Sequence, residues 1–221
     1  VLLFTLLIRA VAHWVDQERV HQDTLREKLA AELHLLKAQV HPHFLFNTLN
    51  NLYALTLQSA PAAPQVVIKL SELMSYMLYE SQAESISLEK EVGHISNYIA
   101  LEKLRYGDRL EVSLTASGEL HGKMIAPLLL IPFVENAFKH GVSEETDNVW
   151  VTIDIKAKDG WLGIKVENSH TGGDARCRSA GTGGIGLHNV KRRLALLYPE
   201  AHKLTLTREA GHYTVDLNIK L

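Results

Sequence analysis

The chain has 221 residues, 46% hydrophobic and 22% charged. That is the size of one large domain or two small ones, and the composition excludes a disordered, collagen-like or low-complexity chain. With 23 basic and 25 acidic residues the formal charge is −2, so no net field draws the protein to nucleic acid, and the single Cys177 excludes an intramolecular disulfide framework and a multi-cysteine zinc site.

Val1–Ile8 is apolar and is followed by Arg9. The stretch is too short to span a bilayer alone. It reads as the truncated cytoplasmic end of a membrane helix with Arg9 on the positive side, or as a buried helix end. From Val11 to about Gln58 there is no Gly and one Pro, Pro42. Leu25, Leu29, Leu33, Leu36 and Val40 make an amphipathic helical stripe, with Glu18, Arg19, Asp23, Arg26, Glu27 and Lys28 on the other side. Residues 59–64 break the pattern. A second helix follows, with Val67, Leu70, Leu73, Met74 and Met77 as its apolar stripe. Two such helices make a hairpin that buries little by itself, so pairing into a four-helix bundle is its natural completion.

Ser87 reads as the N-cap of a third helix, with Glu89 and Glu91 in its first turn and its end near Gly107. The pattern then changes. Arg109–Thr115 alternates as a strand. Pro127 opens a mostly apolar helix, Leu128–Phe138, ending at Gly141. Val149–Ile155 and Trp161–Val166 are strands around a turn at 158–160. Residues 169–186 are Gly-rich, and a helix from about Leu187 to Leu197 ends before Pro199. Lys203–Arg208 and Tyr213–Ile219 form a last hairpin around Gly211. The fold class is therefore α+β: a helical half, then a mixed half beginning near residue 108.

Three clusters carry chemistry. In the first, His41-Pro42-His43-Phe44-Leu45-Phe46-Asn47, a proline inside a helix costs about 3 kcal/mol, so a sequence that keeps it there uses the kink. His43 beside it is mostly neutral at pH 7 and nucleophilic. Asn47 lies one turn later on the same face, placed to orient the ring or to contact a transferring phosphoryl group. A core histidine beside Phe44 and Phe46 fits the same residues. In the second, Pro132–Gly141, Asn136, Lys139 and His140 share one helix face. A carboxamide oxygen can bind Mg²⁺, and Lys or His can meet phosphate oxygens; a capped helix C-terminus fits Lys139, His140 and Gly141 equally. In the third, Gly181-Thr182-Gly183-Gly184-Ile185-Gly186 precedes a helix. Such backbone N–H groups can approach phosphates, although neither a P-loop nor a dinucleotide fingerprint is present, and a flexible linker has the same composition. Lys191, Arg192 and Arg193 read as a solvated face.

In this order the clusters resemble the LytS-like sensor histidine kinases. Residues 42–47 are similar to that family's phosphoacceptor motif, and residues 132–141 to its N box. Gly181–Leu187 with Asn189, Arg193 and Leu194 is similar to its Gly-rich lid and following helix. Glu91, Tyr98, Glu102 and Arg105 fit the family as well. The resemblance implies a dimerising phosphoacceptor hairpin followed by a Bergerat-type α/β sandwich that binds ATP. The implied organisation is a membrane-helix end (1–10), a signalling helix and hairpin (11–84), a connecting helix (85–107) and a GHKL ATP-binding domain (108–221).

It implies autophosphorylation of His43 by ATP, then transfer to an aspartate of a response regulator, in this family often one with a LytTR DNA-binding domain. The partner, and not this chain, would touch nucleic acid. The implied site holds Mg²⁺ on Asn136, with Lys139, His140, Gly181, Thr182, Gly183, Gly184, Gly186 and Leu187 around the phosphates. Asn168 stands where relatives usually carry an adenine-reading Asp. Phe44 stands where many histidine kinases have an acidic residue, so either no strong base is needed or one comes from elsewhere; Glu135, beside Asn136, is the candidate, with an outer-shell Mg²⁺ or structural role as its alternative. The implied protein is a homodimer on the cytoplasmic side of an inner membrane. Alternatives are a pseudokinase signalling module with weakened nucleotide binding, and a plain GHKL-type ATPase, which leaves Pro42 and His43 unexplained.

Overall fold

The computed structural model describes residues 14, 17–19, 42–141, 149–169, 185–209 and 211–221. By its contacts the chain divides into two units, Val1–Val40 and His41–Leu221. Residues 14 and 17–19 of the first are helical. The apolar N-terminal stretch and the Leu25–Val40 stripe lie outside the described residues. No helix among the described residues is long and apolar enough to cross a membrane.

The second unit opens with helices α1 (Pro42–Leu57) and α2 (Ala63–Leu78). The predicted continuation of α1 upstream of Pro42 lies outside the described residues. Pro64 sits in the first turn of α2, where a missing N–H has no helical partner to lose. Val66, Leu70, Leu73 and Tyr76 are the buried row of α2, spaced as one helix face requires. The predicted stripe is corrected here: Leu70 and Leu73 belong to the core, whereas Val67 and Met74 are exposed. Both rows are apolar, and among the described residues the row through Val66 is the buried one, with Met77 half-buried beside it.

A two-residue strand, β1 (Ile86–Ser87), leads into α3 (Leu88–Tyr106). Ser87 caps it as predicted, its Oγ accepting the Lys90 N–H at 3.4 Å. Glu89 and Glu91 in the first turn and Lys103 and Arg105 in the last match the helix dipole. Gly107 ends the helix at φ +59°, a conformation that favours glycine.

The strands β2 (Leu110–Gly118), β3 (Met124–Ile125), β4 (Val149–Lys158), β5 (Trp161–Ser169), β6 (His202–Glu209) and β7 (His212–Lys220) follow. Five of them form one sheet in the order β2-β4-β5-β7-β6, and β1 pairs with β3. β2 runs parallel to β4 and the other neighbours are antiparallel. The parallel pair requires a crossover, and helix α4 (Ile131–Gly141) provides it. Strand alternation sends Val149, Val151, Ile153, Ile155, Leu162, Ile164, Val166, Leu217 and Ile219 into the core, while Asp154, Lys156 and Lys165 face outward. Asp159 and Gly160, at φ +52° and +75°, make the tight turn expected between β4 and β5. Helix α4 packs on β4 and β5, α5 (Ile185–Leu197) packs beside α4, and α3 packs on β2. The result is the α+β arrangement expected: a helical hairpin, then helices on one face of a mixed sheet.

Candidate functional site

The helix with the second cluster does not start where its sequence predicts. Pro127 is a good first residue for a helix, yet α4 begins at Ile131, and Leu128 has φ +54°. Side chains from distant elements hold the segment before α4 open. Glu91 accepts the N–H groups of Leu128 and Leu130, each at 3.0 Å, and the Tyr76 hydroxyl donates to the same carboxylate. Arg193 donates to the carbonyls of Leu128 at 2.8 Å and Pro127 at 2.7 Å. Tyr198, just after α5, accepts the Ala126 N–H at 3.0 Å. In a helix from Leu128 the Pro127 carbonyl would accept from Ile131, and Arg193 takes it instead, while Pro132 has no N–H to give the Leu128 carbonyl.

Glu91 is completely buried, and Arg193 is 1% exposed. The predicted solvated face is therefore corrected: Lys191 and Arg192 are exposed, and Arg193 is interior. Burial pushes the Glu91 carboxyl upward, while the three hydrogen bonds it accepts and the Arg193 charge pull it back. Burial lowers the Arg193 guanidinium, and Glu91 opposes that.

On α4, Asn136 is half-buried and Lys139 exposed; Glu135 is half-buried and makes interactions of its own. His140 is in the same helix, and its side chain lies outside the described residues. At the start of α5, Gly186 faces Asn136: a methyl group at Gly186 would lie 3.9 Å from Asn136 Oδ1. Two of the predicted clusters thus meet. Leu187 next to Gly186 is buried in the core. Gly181, Thr182, Gly183 and Gly184 lie outside the described residues.

Asn168 ends the buried row of β5 and is 1% exposed, in register with Val151 of β4 and Tyr213 of β7. Its Nδ2 donates to the Ser169 carbonyl at 2.9 Å. Its Oδ1 has no partner among the described residues. A buried carboxamide oxygen without a partner is costly, and it can accept from an amino group such as that of adenine. The open approach at Gly186 and this acceptor both fit a bound nucleotide, with Asn136 Oδ1 as an oxygen donor for Mg²⁺.

The first cluster reaches the same region through aromatic rings. Phe44, next to His43 on α1, is buried against Tyr98 of α3, with ring centroids 4.5 Å apart. Tyr98 meets Phe138 of α4 edge-on at 5.6 Å. Thr48 bonds back to the Phe44 carbonyl at 2.9 Å. Asn47 is half-buried and has interactions of its own. The His43 side chain lies outside the described residues; its backbone is helical. The Tyr98 hydroxyl bonds to Glu102 at 3.2 Å, and Arg105 bonds to Glu102 at 3.4 Å. Burial pushes Tyr98 and Glu102 up, and Arg105 pulls Glu102 back.

Sequence reading missed His94 and the partners of Glu91. Glu91 looked like a dipole complement because its two backbone donors lie 37 and 39 residues away. The one local signal was a carboxylate on a helix face otherwise set by Leu88, Ile95 and Tyr98.

Residues 31–110 match the Histidine kinase family model. The chain is 31% identical over 184 residues to the sensor histidine kinase BtsS of Escherichia coli K12, an overlap of 83% of this chain and 32% of that protein. It is 32% identical over 177 residues to the sensor protein LytS of Staphylococcus saprophyticus, covering 76% of this chain and 30% of that one. The histidine kinase domain of the Erythrobacter litoralis EL346 blue-light activated histidine kinase superposes with a TM-score of 0.49 at 18% identity, over 88% of this chain and 93% of that chain. The chain spans about a third of the length of the curated relatives named here. In sequence the chain is thus similar to sensor histidine kinases, LytS among them.

Proposed function

We propose that this chain is the kinase portion of a two-component sensor, phosphorylating its own His43 from ATP and passing the phosphoryl group to an aspartate of a response regulator. The observation that carries the reading is the meeting of Asn136 with Gly186, which joins the N box to the end of the Gly-rich segment. His43 would attack with the lone pair of its neutral imidazole; the bond from the γ-phosphorus to the bridging oxygen breaks, and ADP leaves. Asn168 would accept from the adenine amino group. Lys139 and His140 would set positive charge or donors near the phosphates, and the backbone of 181–187 would supply N–H donors. Mg²⁺ on Asn136 would neutralise charge across the phosphates. Glu135 is our candidate for the base that takes the imidazole proton, and Asn47 for orienting the ring.

The same reading assigns residues 1–10 to a membrane-helix end, 11–84 to signalling helix and hairpin, 85–107 to a connector and 108–221 to the ATP-binding domain. It places the chain on the cytoplasmic side of a membrane. A homodimer is supported by the hairpin: Phe46, Leu49, Tyr53 and Leu57 on α1 and Val67, Ile68, Met74 and Leu78 on α2 are exposed, at spacings that give each helix an outward apolar face. A second copy covering them would complete a four-helix bundle. The regulator, LytTR-type or otherwise, would supply any nucleic-acid contact.

One observation favours a second reading. Asn168 offers adenine a neutral acceptor, weaker than a carboxylate, as a pseudokinase would. Incubation with Mg²⁺ and γ-labelled ATP separates the two. The kinase reading expects an acid-labile, base-stable label that Asn136→Ala abolishes. A folded, dimeric parent that takes no label would establish the pseudokinase instead.

A further inference from the structure

The buried charges Glu91 and Arg193 bond to none of the predicted site residues among the described ones, yet both hold one short stretch of backbone. We propose that Glu91 and Arg193 are positioning residues that set both walls of the nucleotide site, and that Tyr76 ties this clamp to the phosphoacceptor hairpin. The inference rests on the nucleotide-binding reading above and deepens it.

The clamp has three arms. Glu91, from the first turn of α3, takes the N–H groups of Leu128 and Leu130. Arg193, from the middle of α5, takes the carbonyls of Pro127 and Leu128. Leu128 is thereby held from both its N–H and its C=O while its φ is +54°, a value that a non-glycine residue keeps only when its surroundings fix it. Three residues later α4 begins, and it carries Asn136. Two turns before Arg193, α5 carries Gly186, which faces Asn136. The same two side chains therefore fix where α4 starts and how α5 lies beside it. The third arm is the Tyr76 hydroxyl, which runs from hairpin helix α2 to the Glu91 carboxylate.

Opposite charges taken wholly out of water are an inefficient way to stabilise a fold, since an apolar cluster of equal volume would serve as well. What they do provide here is direction. A carboxylate with its N–H donors and a guanidinium fork with two carbonyls allow one arrangement of the backbone between them. Lysine cannot reproduce the fork.

The test compares the 221-residue parent with Arg193→Lys, Glu91→Gln and Tyr76→Phe at a low temperature where melting curves show every variant folded. One readout is equilibrium binding of a fluorescent ATP analogue with Mg²⁺, the other the initial rate of labelling from γ-labelled ATP at saturation. Arg193→Lys and Glu91→Gln are expected to weaken nucleotide binding by at least about tenfold, because a wall displaced by an ångström loses that much or more. Tyr76→Phe is expected to leave the nucleotide Kd within about twofold and to slow labelling by at least about fivefold, because it frees the hairpin and not the nucleotide walls. Residues that serve stability alone would lower the melting temperature and leave both readouts at the parental value, which would overturn the inference by itself. A parent that binds no nucleotide would overturn the functional reading, and the inference with it.

Discussion

His94 should make the protein acid-sensitive by a calculable amount. It lies on α3, is 3% exposed, and stacks on Tyr76 with ring centroids 4.2 Å apart and planes 19° from parallel. Its Nδ1 has no partner among the described residues. Burial holds its pKa down at about 4 against an ordinary 6.5, with the Glu80 charge pulling weakly the other way. The folded pKa is the lower one, so between these values the unfolded chain binds more protons. Stability from this group is therefore present at neutral pH and lost as pH falls through 6.5 toward 4. The full gap is worth about 3 kcal/mol, and about 2 kcal/mol of it is lost between pH 7 and pH 5. His94→Phe keeps the stacked ring and removes the titration. Urea unfolding of parent and variant at pH 7, 6 and 5, followed by circular dichroism, cancels every other group that titrates in both. The stability difference should move by about 2 kcal/mol in favour of the variant on going from pH 7 to pH 5. Parallel loss in the two proteins would refute the assignment of a buried, neutral His94.

Other consequences follow from single contacts. Gly118 has φ +86°, and a Cβ there would lie 2.0 Å from the Ala157 carbonyl oxygen, so Gly118→Ala should destabilise by about 2–3 kcal/mol, read from denaturant midpoints. Asn168→Asp should tighten binding of an adenine nucleotide about fivefold by calorimetry, a carboxylate being the stronger acceptor, and leave binding of a guanine nucleotide unimproved. Phe46→Glu combined with Ile68→Glu, both exposed, should convert the proposed dimer to monomer in sedimentation while the melting curve of the sheet stays in place.

What the sequence revealed and what it hid divide along contact range. Strand alternation and the Asp159–Gly160 turn are local signals, and they located the sheet to within a few residues. Ser87 and Gly107 marked the two ends of α3 for the same reason. The start of α4 was misread because Pro127 is a local helix signal, whereas the groups that override it sit at positions 91 and 193. The predicted stripe of α2 was right at Leu70, Leu73 and Met77 and wrong at Val67 and Met74, because the helix has two apolar rows. Val66, Leu70 and Leu73 face the core, and Val67, Ile68 and Leu78 face outward, where a second copy is proposed to pack. Composition cannot say which row meets which partner. Arg193 looked solvated in a run of three basic residues, and only the fold shows that one of the three turns inward. Of the candidate site, the approach of Asn136 to Gly186 was foreseeable only from the family resemblance, since nothing in the spacing of residues 136 and 186 brings them together.

The most direct test of the central claim is the identity of the acceptor. The parent, His43→Gln and His41→Gln would each be incubated with Mg²⁺ and γ-labelled ATP, and the label followed through acid and base. The expected result is a label that acid removes and base spares, present in the parent and in His41→Gln and absent from His43→Gln. A label that persists in His43→Gln would contradict the assignment of this residue as the phosphoryl acceptor.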